Sequence, residues 1–240
     1  VNTTSTTIKA TTTMAPMLLP TFTNSCIGSM EGLFFEASAT TPFHFLMQNE
    51  LSTTSSSAQR FDHLGFTKSP YVGLNMDLGI QHMQALGVRY YMAYTDQAKQ
   101  QAAADPRLRK VGESGPWQVF ELVDSPLVIG MTNLPAVYTD VSDNIHEWAK
   151  PAVEWWMDPS RWSVLRASSG PQNWPRVKGS AVTAPEVPTP LALVTDVVAH
   201  REDLSFKVDK IGTPVLVKVS YFPNWKVEGA EGPYRVAPNL

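Results

Sequence analysis

Hydrophobic and polar positions alternate with period two from Val215 to Tyr221. Val215, Val217 and Val219 fall on one side, Leu216, Lys218 and Ser220 on the other. A β-branched run of this period predicts a strand with one buried face. Pro223 and Asn224 break the run and favour a turn. Trp225 follows the turn, and Lys226-Val227 start a return strand. Leu191 to Ala199 and Leu204 to Val208 predict two more strands, so this end of the chain reads as an antiparallel sandwich. Upstream the period changes. Met76, Ile80 and Met83 recur at i, i+4 and i+7, which predicts a helix to about Ala85 capped by Asn75 or Asp77. Gly87 ends it as a left-handed residue. Val88 to Tyr94 predicts a strand. Thr95 caps a helix from Asp96 to Ala104, which Pro106 ends. Arg107 to Val111 and Trp117 to Val123 are strands around a hairpin loop, Gly112 to Pro116.

Leu127 to Met131 opens a new segment between Pro126 and Pro135. Ser142 caps a predicted helix from Asp143 to Trp156, kinked or restarted at Pro151. Asp158-Pro159 caps a third helical piece through Arg166. Ser168 to Pro190 is rich in Pro, Gly and Ser and reads as extended surface chain. At the other end, nine of the first thirteen residues are Thr, Ser or Asn, too polar to fold alone. Met14 to Phe22 is more apolar and predicts a first strand. Leu33 to Glu36 predicts another. Pro42 to Met47 starts a helix or short strand, and Ser52 to Ser57 is a loop. The domain reading is a flexible Thr-rich arm at 1–24 and a mixed α/β layer at 25–135. A Trp-rich helical connector and Pro-rich extended segment follow at 136–189, then sandwich strands, jelly-roll-like, at 190–240. The fold class is α+β.

Composition narrows the function. The chain has 240 residues, 43% hydrophobic and 17% charged, enough for a substantial core. Nineteen Pro and fourteen Gly suit a turn-rich, β-rich fold. Net charge is −3 with no basic block, which argues against nucleic acid. No apolar run approaches the about 18 residues that span a bilayer. The sequence starts at Val1 without a basic n-region, which fits an excised soluble fragment and a mature secreted protein equally well. Cys26 is the single cysteine, so no internal disulfide or Cys-based zinc site is expected.

Aromatic residues are the leading candidates for chemistry. Trp148, Trp155, Trp156, Trp162 and Trp174 lie close in sequence, interrupted by Arg161 and Arg166. Flat rings with a donor N–H suit the C–H faces of sugars. The same rings suit core packing, and both readings stand. Trp155 and Trp156 are adjacent and point in different directions on a helix. Tyr221 and Trp225 form a second candidate, either a ligand-facing loop or a turn packed over the sandwich end, with Tyr234 and Arg235 able to join it. Glu31, Glu36, Asp62 and Asp77 are the carboxylates considered for a hydrolytic pair, which needs roughly 5–10 Å between carboxyls. No local motif supports them. His44, His63, His82, His146 and His200 are scattered, without metal-ligand spacing. No catalytic residue, metal or cofactor is expected.

Three blocks carry a family resemblance: Tyr221-Phe222-Pro223-Asn224-Trp225-Lys226-Val227, Leu86-Gly87-Val88-Arg89-Tyr90-Tyr91-Met92, and Cys26 to Glu36. Together they resemble the extracytoplasmic domain of YfhO-like bacterial membrane proteins, in particular the actinobacterial branch grouped with GT-C glycosyltransferases. The resemblance implies a many-spanning parent and a periplasmic location at the cell membrane, reached through flanking segments. It also implies that the catalytic carboxylate lies in a loop outside this sequence and that family members continue past residues 237–239. The expected role is a non-catalytic domain binding cell-envelope polysaccharide, a lipid-linked sugar or a partner protein, with Trp155, Trp156, Trp162, Arg161, Tyr221 and Trp225 as the ligand-binding set. A purely structural or assembly ectodomain and a secreted glycoside hydrolase are the alternatives.

Overall fold

The structure is a computed structural model that describes residues 6–10, 19–23, 27–29, 41–52, 61–200 and 202–237. The fold is α+β with antiparallel sheets, as the periodicity predicts. Two compact units share the chain. One takes residues 1–60, 71–127 and 195–207, the other residues 61–70, 128–194 and 208–240.

The first unit is built on a sheet of order β2-β1-β3-β5-β4, where β1 is Thr6–Ala10, β2 Ile27–Ser29, β3 Tyr90–Ala93, β4 Leu108–Ser114 and β5 Trp117–Leu122. The pairs β1–β2 and β1–β3 are parallel, and β3–β5 and β4–β5 are antiparallel. Its helices are α1 (Leu19–Phe22), α2 (Thr41–Leu51), α3 (Met76–Ala85) and α4 (Asp96–Ala104). Tyr91 and Phe120 are direct cross-strand partners and both are buried. They share one core with Met47 and Leu51 of α2, Met76, Ile80 and Met83 of α3, and Ala98 and Ala102 of α4. The i, i+4, i+7 stripe of α3 is therefore the face that meets the sheet. Asn75 caps α3 and Thr95 caps α4 through side-chain oxygens that accept backbone N–H groups. Gly87 has φ +67°, the left-handed geometry expected after α3.

Two expectations near the start are corrected. The Thr-rich arm contributes β1, which pairs with two neighbours. Thr is β-branched, and a strand supported on both edges needs little help from its own composition. The end of the predicted first strand is instead the short helix α1. The predicted strand at Leu33 to Glu36 and the loop beyond Ser52 lie outside the described residues.

The second unit contains β6 (Val128–Gly130), β7 (Ala136–Thr139), α5 (Ile145–Trp156), β8 (Arg166–Ala167) and β9 (Arg176–Lys178). The order β8-β7-β9 is fully parallel. So β7, α5 and β8 form a strand–helix–strand crossover. β7 is not visible as alternation, because Ala136, Val137 and Tyr138 are all buried, and β9 alternates over only three residues. Continuous burial is what a parallel strand covered on both faces shows. The third helical piece shrinks to one 3₁₀ turn, Pro159–Arg161, and Asn144 rather than Ser142 caps α5. Ser142 instead accepts from the Asn144 N–H at 3.1 Å.

Further along, β10 (Val194–Ala199) pairs with β11 (Leu204–Val208) as one ribbon, and β12 (Val215–Val217) pairs antiparallel with β6 as another. Gly130 of β6 has room only for hydrogen, since a Cβ there would lie 2.3 Å from the Ala192 carbonyl oxygen.

Candidate functional site

The aromatic residues of the predicted ligand-binding set divide between two settings. The first is α5 and the turn after it. Trp148, Ala149, Ala152, Val153, Trp155 and Trp156 form its buried stripe. Trp155 is 6% exposed and Trp156 3%. The Trp162 ring lies 6.1 Å from that of Trp155 and 5.5 Å from that of Trp156. The indole N–H groups are also engaged: Trp155 donates to the Arg161 carbonyl at 3.2 Å, and Trp162 donates back to the Trp155 carbonyl at 3.0 Å. This reciprocal pair closes the C-terminal end of α5, where helix carbonyls have no partner in the helix. Trp155 and Trp156 thus have their ring faces inside the unit, and Trp162 and Arg161 sit half-buried at its edge. Trp174 is elsewhere, half-buried against Tyr234 with ring centroids 5.3 Å apart.

The second setting is the turn after β12. Tyr221 is 45% exposed and Phe222 58%. Trp225 is half-buried; its backbone N–H donates to the Phe222 carbonyl at 3.0 Å and its indole N–H to the Ser220 carbonyl at 3.3 Å. Those two bonds fold Tyr221 to Trp225 into a tight turn. The indole is held in one orientation while Tyr221 and Phe222 remain open to solvent. Within the predicted set, this turn has the rings whose surfaces are available to a ligand.

The first unit adds a cleft that sequence patterning did not single out. It has a volume of about 380 Å³ and is lined by Gly87, Arg89, residues 121–127, Val197 and Ala199. Glu121 at its wall takes Arg89 at 3.0 Å and also Arg109. The Arg109 hydrogen bond, with Arg89 second, holds the Glu121 carboxyl below the usual range. Arg89 also lies over the Tyr90 ring at 5.4 Å. Register made Arg109 a cross-strand partner of Glu121, and Arg89 stands just before β3, whose Tyr90 pairs with Glu121.

Of the carboxylates considered, Glu31 and Glu36 lie outside the described residues. Asp77 is exposed and paired with Arg107 at 2.7 Å, and Asp62 is exposed. A carboxylate bound to a guanidinium makes a poor general acid. The buried His82 of α3 places Nδ1 2.6 Å from Oε2 of Glu50 on α2, both fully enclosed. Enclosure makes this pair a link between helices, since no substrate atom reaches it. His146 and His200 are exposed and His44 is buried. Among the described residues no three His, Cys, Asp or Glu gather as a metal site. No helix among them is long and apolar enough to cross a membrane. Comparison of the chain with family models, with curated proteins and with solved structures finds no match.

Proposed function

We propose that this chain is a non-catalytic, carbohydrate-binding extracytoplasmic domain of a GT-C-type, YfhO-like membrane protein, with the Tyr221–Trp225 turn as its sugar platform. The observation that carries the reading is the pairing of a fixed indole with two open aromatic rings on one turn. Sugars present C–H faces that stack on such rings, and a pre-set ring loses little entropy on binding. The Glu121 carboxylate in the cleft wall is held by two guanidinium groups, which suits binding better than proton transfer. Trp162 and Arg161 remain in the proposed set as edge groups. Trp155 and Trp156, whose rings are enclosed, leave the set. The ligand class is a neutral cell-envelope polysaccharide or the glycan part of a lipid-linked sugar.

Titration of intrinsic Trp fluorescence with arabinan and mannan oligosaccharides tests this. Saturable quenching in the wild type that is lost in Trp225→Ala is the expected result. A flat titration at millimolar sugar overturns it. The assembly reading then takes its place. It is favoured by the exposed side chains of Leu191, Leu193 and Ile211 in the C-terminal strands and their connections.

A further inference from the structure

Arg166 is the most unusual charge in the second unit. It lies in β8, beside Ala136 of β7 in register, and is 1% exposed. Its guanidinium carbon sits 4.3 Å over the Tyr138 ring. Nη2 donates to the Ser180 carbonyl at 2.7 Å. Nε and Nη1 are buried and have no hydrogen-bond partner. These two atoms flank Nη2, so each of the two edges by which guanidinium grips an oxyanion has an unused donor. Among the described residues no carboxylate offsets this charge. The ionisable groups that act on it are the Tyr138 hydroxyl and a second cation, Arg161. Burial lowers its pKa to about 10, so it is still protonated at neutral pH. A buried cation with no carboxylate partner and with donors left over is electrostatically incomplete.

The cover over the guanidinium is not regular structure. Residues 180–187 run without helix or strand, and Ala181, Val182 and Thr183 are exposed. This cover is fastened to the sheet at two carbonyls, Ser180 by Arg166 and Val182 by the Tyr138 hydroxyl at 2.9 Å. A third tie runs from the Ser180 hydroxyl to the Glu147 carbonyl at 3.5 Å. That carbonyl is free because Pro151, four residues on in α5, has no N–H to give it.

We infer that Arg166 is the floor of a binding site for a small tetrahedral oxyanion of the phosphate or sulfate class, with the Tyr138 ring as wall and the 180–183 segment as cover. The site is separate from the aromatic turn and stands whether or not that turn binds sugar. An oxyanion on either edge of the guanidinium satisfies the unused donors and neutralises the charge. Release of the Ser180 and Val182 ties opens the way in.

The test uses the whole chain, with inorganic phosphate as probe. The ³¹P linewidth of phosphate and the thermal midpoint of the protein are followed at constant ionic strength, with chloride as reference and sulfate and acetate as competitors. Saturable broadening is expected, reversed by sulfate and not by acetate. Arg166→Met is expected to lose at least tenfold in phosphate affinity, while the exposed Arg176→Met keeps it. Because Arg166→Met risks misfolding, the wild type is also treated with phenylglyoxal and mapped by mass spectrometry. Phosphate should protect Arg166 and leave Arg89, Arg109 and Arg176 reactive. Equal linewidths and midpoints in phosphate and chloride overturn the site. So does protection of a different arginine, or unchanged affinity in Arg166→Met.

Discussion

At the scale of single residues, the first unit depends on a few enclosed contacts between α2 and α3. The Glu50–His82 pair has both side chains at 0% exposure. Removing one member takes away a hydrogen-bond partner that the other cannot replace with water, which costs about 1–3 kcal/mol. His82→Ala should lower the urea-derived unfolding free energy by that amount. Glu50→Leu with His82→Leu should recover most of the loss, because two apolar groups need no partner. Equal stability of His82→Ala and wild type would contradict the pairing. Gly79 is a second such contact. A Cβ there would stand 2.5 Å from a methyl of the fully buried Leu51. Helix propensity favours Gly79→Ala by about 1 kcal/mol, and overpacking opposes it by about 1–3 kcal/mol. The substitution should therefore be neutral to destabilising in the wild type. In a Leu51→Ala background it should stabilise, and a double-mutant cycle in urea reads the sign change.

At the scale of elements, α5 is the informative case. Its buried Trp stripe is the interior of the second unit, so Trp155→Ala should cost about 3–5 kcal/mol. Trp225→Ala at the half-buried turn should cost much less and act on sugar quenching instead. Comparing the two by chemical denaturation and by titration separates a support residue from a contact residue. Pro151 carries a further consequence for α5. In a helix interior it is about 3 kcal/mol worse than Ala, partly offset by stiffening the unfolded chain. Pro151→Ala should raise stability by about 2 kcal/mol. It also gives the Glu147 carbonyl a helical donor, so Ser180→Ala should then cost less than in the wild type. A lower thermal midpoint for Pro151→Ala would show that the Ser180 tie matters more than the helix bond.

At the scale of the molecule, charge pairing sets the response to acid. Hydrogen bonds from Arg109 and then Arg89 hold Glu121 below its usual range, and the Arg107 side chain does the same for Asp105. A carboxyl whose folded pKa lies below its unfolded value of about 4 stabilises the fold above that pH. The contribution is lost as pH falls through the folded value. The urea midpoint should thus stay level from about pH 7 to 5 and drop below about pH 4. Glu121→Gln should show a shallower drop. A midpoint that rises on acidification would contradict these assignments.

How far the chain could be read without its structure follows from the range of each interaction. Local signals were sufficient for α3 and α4, because caps and a 3.6-residue stripe are written within one element. The hairpin of β4 and β5 was legible for the same reason, as was the α+β class. The parallel strands β1, β7 and β9 were not, because their partners are distant in sequence and the strands are either short or, in β7, buried on both faces. The aromatic set was legible as residue types only. Which rings face solvent was decided by packing: Trp155 and Trp156 went inside α5's stripe, and Tyr221 and Phe222 stayed out. Arg166 shows the limit most clearly. Between Leu165 and Ala167 it looked like one more interruption of a Trp-rich stretch. Only the pairing of β8 with β7, and the cover folding back over both, enclosed its charge. Burial is a property of the assembled neighbours, and no local pattern encodes it.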